Sequence, residues 1–211
     1  MRKILSIFTV LIILLAIMLA SAGCVGVNGG QNTVNGVDKN TVQSNNDDKH
    51  RVLVAVFSAT GNTRQIADSA AGILNADLYV IVPEDPYTEE DISYSTESRS
   101  YREQHDPAAR PAIKGSGPNM DKYDTVLIGY PIWYDNAPRI ISTFVESRDF
   151  DGKTVAAFCT SDSSGIETSA EYLHKLLPKS VTMLDSRRFP AGASEDDIRG
   201  WLKGIGLTGG E

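Results

Sequence analysis

The sequence predicts an α/β fold: a parallel sheet covered by helices on both faces. Two patterns carry that prediction. Five short apolar runs alternate with helix-period segments across about 155 residues. The better-defined runs are continuous rather than alternating, as strands buried on both faces require. A third observation points to where the chemistry lies. The turns after the first, third and fourth runs are hydroxyl-rich or aromatic, and ligands in open α/β sheets bind above the carboxyl ends of the strands.

Composition sets the outer limits. The 211 residues, 41% hydrophobic and 22% charged, suffice for one domain of ordinary size with extra segments. A formal net charge of −7 argues against a nucleic-acid partner. His50, His105 and His174 lie far apart and there are only 2 Cys, so no ligand-spaced metal cluster is expected.

At the amino terminus, Arg2 and Lys3 precede an uncharged apolar run from Ile4 to Ala20, with the length and flanks of a signal-peptide core. It ends in Ala20-Ser21-Ala22-Gly23-Cys24, which resembles a lipobox, although Ser21 stands where Leu is more usual. Residues 1–24 are therefore expected to be a signal peptide and lipobox, with Cys24 as the lipidated residue. An uncleaved membrane anchor with an incidental cysteine is the alternative. Both readings put the domain outside the cytoplasm, anchored to the cytoplasmic membrane. Residues 25–49, rich in Gly, Asn, Gln, Ser, Thr and Asp, read as a flexible linker.

The domain is expected over residues 50–207. Its first strand is Val52 to Phe57, followed by Ser58-Ala59-Thr60-Gly61-Asn62-Thr63. A strand turning into a helix there aims backbone N–H groups and side-chain donors at one point, at the positive end of the helix dipole, which suits a phosphate. The loop has no Lys, and G-x-x-x-x-G-K-[ST] is absent, so the chemistry fits a phosphate monoester held by neutral donors rather than a triphosphate. Ile66, Ala70, Ile73 and Leu74 recur at helical spacing, with Asn62 read as the N-cap and Gln65 completing a capping box. A helix cap without a ligand is the weaker alternative for so dense a set of donors.

The second strand, Leu78 to Val82, ends at Pro83. Residues 83–118 show no strand pattern. Thr88 with Asp91 predicts a cap for a modest helix through Tyr94 and Tyr101 toward Gln104, with a poor apolar face. The segment is long for a plain loop, which marks it as a functional candidate, with Tyr94 or Tyr101 in reach of a cofactor or substrate. The third strand, Val126 to Tyr130, leads into Pro131-Ile132-Trp133-Tyr134-Asp135-Asn136-Ala137-Pro138, where two adjacent aromatics form a wall above the sheet. Pro138 suits the first turn of a helix carrying Ile140, Ile141, Phe144 and Val145.

The fourth strand, Val155 to Cys159, opens into Thr160-Ser161-Asp162-Ser163-Ser164-Gly165, then a helix with Tyr172, Leu173, Leu176 and Leu177. That turn offers hydrogen bonds to the polar edge of a ligand, or is ordinary turn chemistry. It has no G-x-S-x-G elbow. Cys159 reads as a small packed residue. A fifth strand, Val181 to Leu184, precedes a final helix with a Ser194–Asp197 capping box and an apolar face of Ile198, Trp201, Leu202 and Ile205.

The first loop resembles the T-G-N-T phosphate loop of the flavodoxins, which hold the phosphate of FMN. The resemblance runs through Gly129-Tyr130-Pro131-Ile132-Trp133, Ala137-Pro138, Gly152-Lys153-Thr154-Val155, Phe158-Cys159-Thr160-Ser161 and Ser164-Gly165. Together these look like the short-chain flavodoxin branch with a Y-P-I-W loop. The resemblance implies a flavodoxin-like three-layer sandwich, with a five-stranded parallel sheet of order 2-1-3-4-5 and a ligand crevice between strands one and three. It implies FMN as cofactor. Ser58, Ala59, Thr60, Gly61, Asn62 and Thr63 would hold its phosphate. Pro131, Ile132, Trp133 and Tyr134 would lie against the ring, and Thr160, Ser161, Asp162 and Gly165 at its polar edge. Two departures bear on redox tuning: Asp135 stands where relatives often have Gly, and Asp162-Ser163-Ser164 where they tend toward glycine. Asp135 and Asn136 tolerate positive φ, so a peptide there could turn a carbonyl toward the reduced ring.

The expected function is electron transfer by an FMN-binding protein at the outer face of a membrane, toward a redox partner protein or a quinone-like acceptor. Two alternatives stay open: an FMN-dependent NAD(P)H:quinone-type oxidoreductase, and a flavodoxin-fold binding module without flavin. No G-x-G-x-x-G fingerprint is present, though such oxidoreductases need not carry one.

Overall fold

Strand pairing settles the architecture. A computed structural model of the chain describes residues 51–208. The expected signal peptide with Cys24, and the expected linker over 25–49, lie outside the described residues. Strands β1 (Val52–Val56), β2 (Asp77–Val80), β3 (Thr125–Pro131) and β4 (Thr154–Thr160) pair in parallel in the order β2-β1-β3-β4. The register sets Val52 beside Thr125 and Thr125 beside Thr154. The fifth position, beside β4, is shared by two short segments, β5 (Thr182–Met183) and β6 (Arg187–Phe189). The order is thus the expected 2-1-3-4-5, flavodoxin-like arrangement.

The run Val181–Leu184 marks only the first of those two segments. Arg187 and Arg188 are exposed, so β6 carries no apolar signal; its backbone pairing with Phe158–Thr160 makes it a strand. Side chains bridge the gap between the two. Ser186 Oγ accepts from the Ala157 N–H at 3.2 Å, and Trp201 Nε1 donates to the Asp185 carbonyl at 3.0 Å.

Alternation along the strands divides the core. Leu53, Ala55 and Phe57 join Ile128, Tyr130, Ala157 and Cys159 on one face, under α3 (Arg139–Glu146) and α4 (Glu167–Leu176). Val54 and Val56 join Leu127, Ala156 and Phe158 on the other, under α1 (Asn62–Leu74) and α5 (Glu195–Gly204). Each large side chain so buried contributes about 1.5–3 kcal/mol relative to exposure. Gly129 is required by this packing: a Cβ there would lie 2.2 Å from Phe158 Cζ. The Ser194–Asp197 capping box forms as expected, with Ser194 Oγ accepting from the Asp197 N–H at 3.2 Å.

Residues 83–113 leave the sheet and return to it. Lys114 N donates to the Val82 carbonyl and Glu84 N to the Ala112 carbonyl, each at 2.8 Å, which closes the base of the excursion. Within it the only helix is α2 (Arg99–His105), capped by Ser98 rather than Thr88. The expected longer helix does not form. Thr88 and Asp91 do make their reciprocal bonds, at 2.9 and 3.2 Å, but only a turn follows. Ile92 alone cannot supply the apolar stripe that would carry the helix on.

Candidate functional site

Backbone bonds just past the strand ends hold three loops level. Phe57 N donates to Gly129 O, Ile132 N to Thr160 O and Ser161 N to Phe189 O, at 3.0, 3.0 and 3.2 Å. Above them lies a cleft of about 440 Å³, a size that suits a small-molecule ligand.

One wall is the loop between β1 and α1. Asn62 is not the N-cap expected from the sequence. Gly61 holds that place in the left-handed region, with φ of 93°, and among the described residues no side chain caps the helix. Gly61 N instead donates to Ser58 Oγ at 3.1 Å, which tightens the turn. The Asn62 side chain is left to line the cleft. Among the described residues, no protein acceptor meets the N–H of Ala59, Thr60, Asn62, Thr63 or Arg64. Thr63 is buried, and its Oγ1 lies 2.7 Å from Thr160 Oγ1, tying the first loop to the fourth. Arg64 bonds Asp68 at 2.7 Å, on the exposed side of α1.

The second wall follows β3. Trp133 and Asn136 exchange backbone bonds, Trp133 N to Asn136 O at 2.9 Å and Asn136 N to Trp133 O at 3.1 Å. Tyr134 and Asp135 between them have φ of 49° and 63°, so both central residues of this tight turn are left-handed. The sequence places that strain one residue too late, on Asp135 and Asn136. Trp133 packs edge-on against Phe57 and Tyr87, with ring centroids 5.5 and 5.1 Å away.

The excursion supplies the support. Tyr87 donates to Glu103 at 2.5 Å, and the Arg99 guanidinium lies 4.2 Å from its ring centre. Burial, then the Glu103 carboxylate, holds the Tyr87 hydroxyl well above its ordinary pKa. Tyr134 Oη donates to the Ser93 carbonyl at 3.3 Å, and its ring meets Tyr94, Tyr101 and His105 edge-on.

The third wall is the loop after β4. Ser161 Oγ accepts from the N–H groups of Ser163 and Ser164 at 3.3 and 2.9 Å. Ser164 Oγ donates to Asp135 Oδ1 at 2.5 Å. The loops after β3 and β4 therefore pair across the cleft. Among the described residues no Lys, Arg or His lines it, so hydroxyls, amides and two carboxylates, Asp135 and Asp162, set its polarity.

Of the expected binding residues, the structure brings Ala59, Thr60, Asn62, Pro131, Ile132, Trp133, Tyr134, Thr160, Ser161 and Asp162 to this cleft. Ser58, Gly61, Thr63 and Gly165 stand behind it: Ser58 and Thr63 bond within the protein, Gly61 shapes the turn, and Gly165 packs against the Glu167 side chain. Ile92, Tyr94 and Ser100 also line it, from the excursion, as does Ala191 beyond β6. The length of the excursion points to Tyr94, which lines the cleft, and to Tyr101, which instead packs edge-on against Tyr134; Ser100 and Ala191 carry no sequence signal.

The flavodoxin family model matches residues 51–205. A candidate flavoprotein of Bacteroides eggerthii DSM 20697 is 44% identical, with a TM-score of 0.70, over 75% of this chain and 99% of its own. One from Bacteroides uniformis ATCC 8492 is 40% identical, with a TM-score of 0.70, over 73% and 98%. The flavoprotein of Lactobacillus acidophilus NCFM, solved in complex with FMN, is 18% identical with a TM-score of 0.55, a likeness of fold alone, over 72% and 98%. No curated protein matches the chain. The family model covers most of the chain, and the topology and the loops at the strand ends agree with it: this chain belongs to the flavodoxin family.

Proposed function

We propose that the protein binds FMN in this cleft and transfers electrons through it. One observation carries the reading: the unpartnered N–H groups at the head of α1 open onto the same cleft as Trp133. The residues present fit FMN. Backbone amides of Ala59, Thr60, Asn62, Thr63 and Arg64, with the Thr60 and Asn62 side chains, offer neutral donors for a phosphate dianion at a helix N-terminus. Hydrogen bonds to a charged group contribute about 1.5–3 kcal/mol each, so four or five supply most of a sub-micromolar affinity, about −8 to −12 kcal/mol, before ordering costs. Trp133, Tyr134 and Ile132 give an apolar wall for a planar ring, and the Ser161–Ser164 loop gives its polar edge. When bound, FMN supplies one- and two-electron redox chemistry. The protein's part is to grip the phosphate, seat the ring and screen it from water.

The proposal includes two features that rest on the sequence. Cys24 is the lipid attachment that holds the domain at the outer face of the membrane, and the electron acceptor is a redox protein or a quinone-like molecule.

The test is a titration of the purified protein with FMN, followed by flavin fluorescence. Saturable quenching at one equivalent is expected, with affinity lowered at least tenfold in the Thr60→Ala/Asn62→Ala variant while the circular dichroism stays that of the parent. Absence of binding, or affinity indifferent to those two changes, overturns the assignment. Bleaching by NADPH with quinone turnover would point instead to hydride transfer.

A further inference from the structure

The Trp133–Ala137 turn is held from behind by the Gln104 side chain. Gln104, on α2, is buried, and its Nε2 donates to two carbonyls: Trp133 O at 2.8 Å and Ala137 O at 3.1 Å. A carboxamide nitrogen has two hydrogens, so both are committed, one to each end of the turn. Gln104 is itself anchored. Buried Arg139, which opens α3, donates to the carbonyls of Glu103 and Gln104 at 3.3 and 2.9 Å, and to Tyr172 Oη at 2.8 Å. Between the two clamped carbonyls lie Tyr134 and Asp135, both left-handed. Neither is glycine, so the turn has a standing tendency to relax toward negative φ.

We propose that Gln104 is a positioning residue for the ligand: it keeps this turn, and with it the Trp133 wall, in the binding conformation before the ligand arrives. The proposal rests on the flavin reading. Without the clamp the turn samples relaxed conformations, and binding has to reorder it, which lowers apparent affinity by the fraction of competent molecules. The effect belongs to the ring side of the cleft. It therefore falls alike on FMN and on riboflavin, which lacks the phosphate.

Gln104→Glu tests this with nearly the same shape, replacing two donors by acceptors that face two carbonyls. In the ligand-free full-length protein, amide exchange at Trp133 and Asn136 should speed up at least tenfold, with β1, β3 and β4 unchanged. Affinity for FMN and for riboflavin should fall by the same factor, about tenfold. Adding Asp135→Gly, which places a residue at ease with positive φ in the turn, should restore most of both losses; a variant merely damaged in folding gains nothing from that glycine. Unchanged exchange overturns the clamp. Faster exchange with unchanged affinity for both flavins overturns the ligand role, and so does a loss confined to FMN. If the parent protein binds neither flavin, the flavin reading fails and the ligand role with it, while the exchange measurement, made without ligand, still judges the clamp.

Discussion

At the scale of single residues, this site depends on conformations that most side chains avoid. Gly61 adopts φ of 93° with nothing within 4 Å of where a Cβ would be, so the backbone, not space, calls for glycine there. Tyr134 and Asp135 take left-handed φ without that freedom, and such residues persist only where their surroundings over-determine them. Cys159 is the opposite case, a thiol that packs in the core. It is fully buried beneath the cleft, and burial pushes its pKa from 9.0 up to about 12. A group raised on folding stabilises fully below its unfolded value, and that contribution disappears as pH climbs through the folded one. Unfolding free energy is therefore expected to decline as pH rises above about 9, less steeply in Cys159→Ala than in the parent. Urea midpoints between pH 8 and 11 check this, and equal slopes in the two proteins would contradict it. Tyr87, Tyr123 and Tyr130, shifted upward chiefly by burial, add to the decline in both.

At the scale of elements, the cleft depends on ties between loops that belong to different strands. The Thr63–Thr160 hydroxyl pair joins the head of α1 to the end of β4. Removing one buried partner leaves the other unsatisfied, at about 1–3 kcal/mol, whereas replacing both by apolar groups of similar shape is close to neutral. Thr63→Val and Thr160→Val are thus each expected to lower stability by that amount, and the double variant by clearly less than their sum. A double-mutant cycle in denaturant measures the coupling, and strict additivity would show that the pair does not act as one. The 83–113 excursion is tied in the same manner, by Arg139 and Gln104 from α3 to α2. That is why a short helix with a poor apolar face is ordered at all.

At the scale of the whole molecule, a neutral-donor cleft sits at the point where strand order reverses, between β1 and β3. Among the described residues no helix is long and apolar enough to cross a membrane. We propose that attachment rests on residues 1–24, through lipidation of Cys24. The expectation is that the full-length protein expressed in its own envelope partitions into detergent, and that Cys24→Ser shifts it to the aqueous phase. Continued partitioning of that variant into detergent would favour the uncleaved anchor.

Apart from the sheet order, which the resemblance of the loops to the flavodoxins implied, the sequence by itself determined the strands β1 to β4, the helices α1, α3, α4 and α5, and the three loops that meet at the cleft. These follow from apolar runs and turn chemistry, which are local properties of the chain. It also marked ten of the residues that line the cleft, because hydroxyls, an amide and aromatics cluster at strand ends. Only the tertiary structure decided the rest. β6 is a strand because β4 offers it partners, not because of its exposed arginines. Asn62 gives up the cap because Gly61 takes a left-handed turn and bonds Ser58. Asp135 meets Ser164, and Gln104 meets Trp133 and Ala137, across 29 to 33 residues of chain. Such pairings are set by where the fold brings separate loops together, and no local pattern of residues encodes that distance.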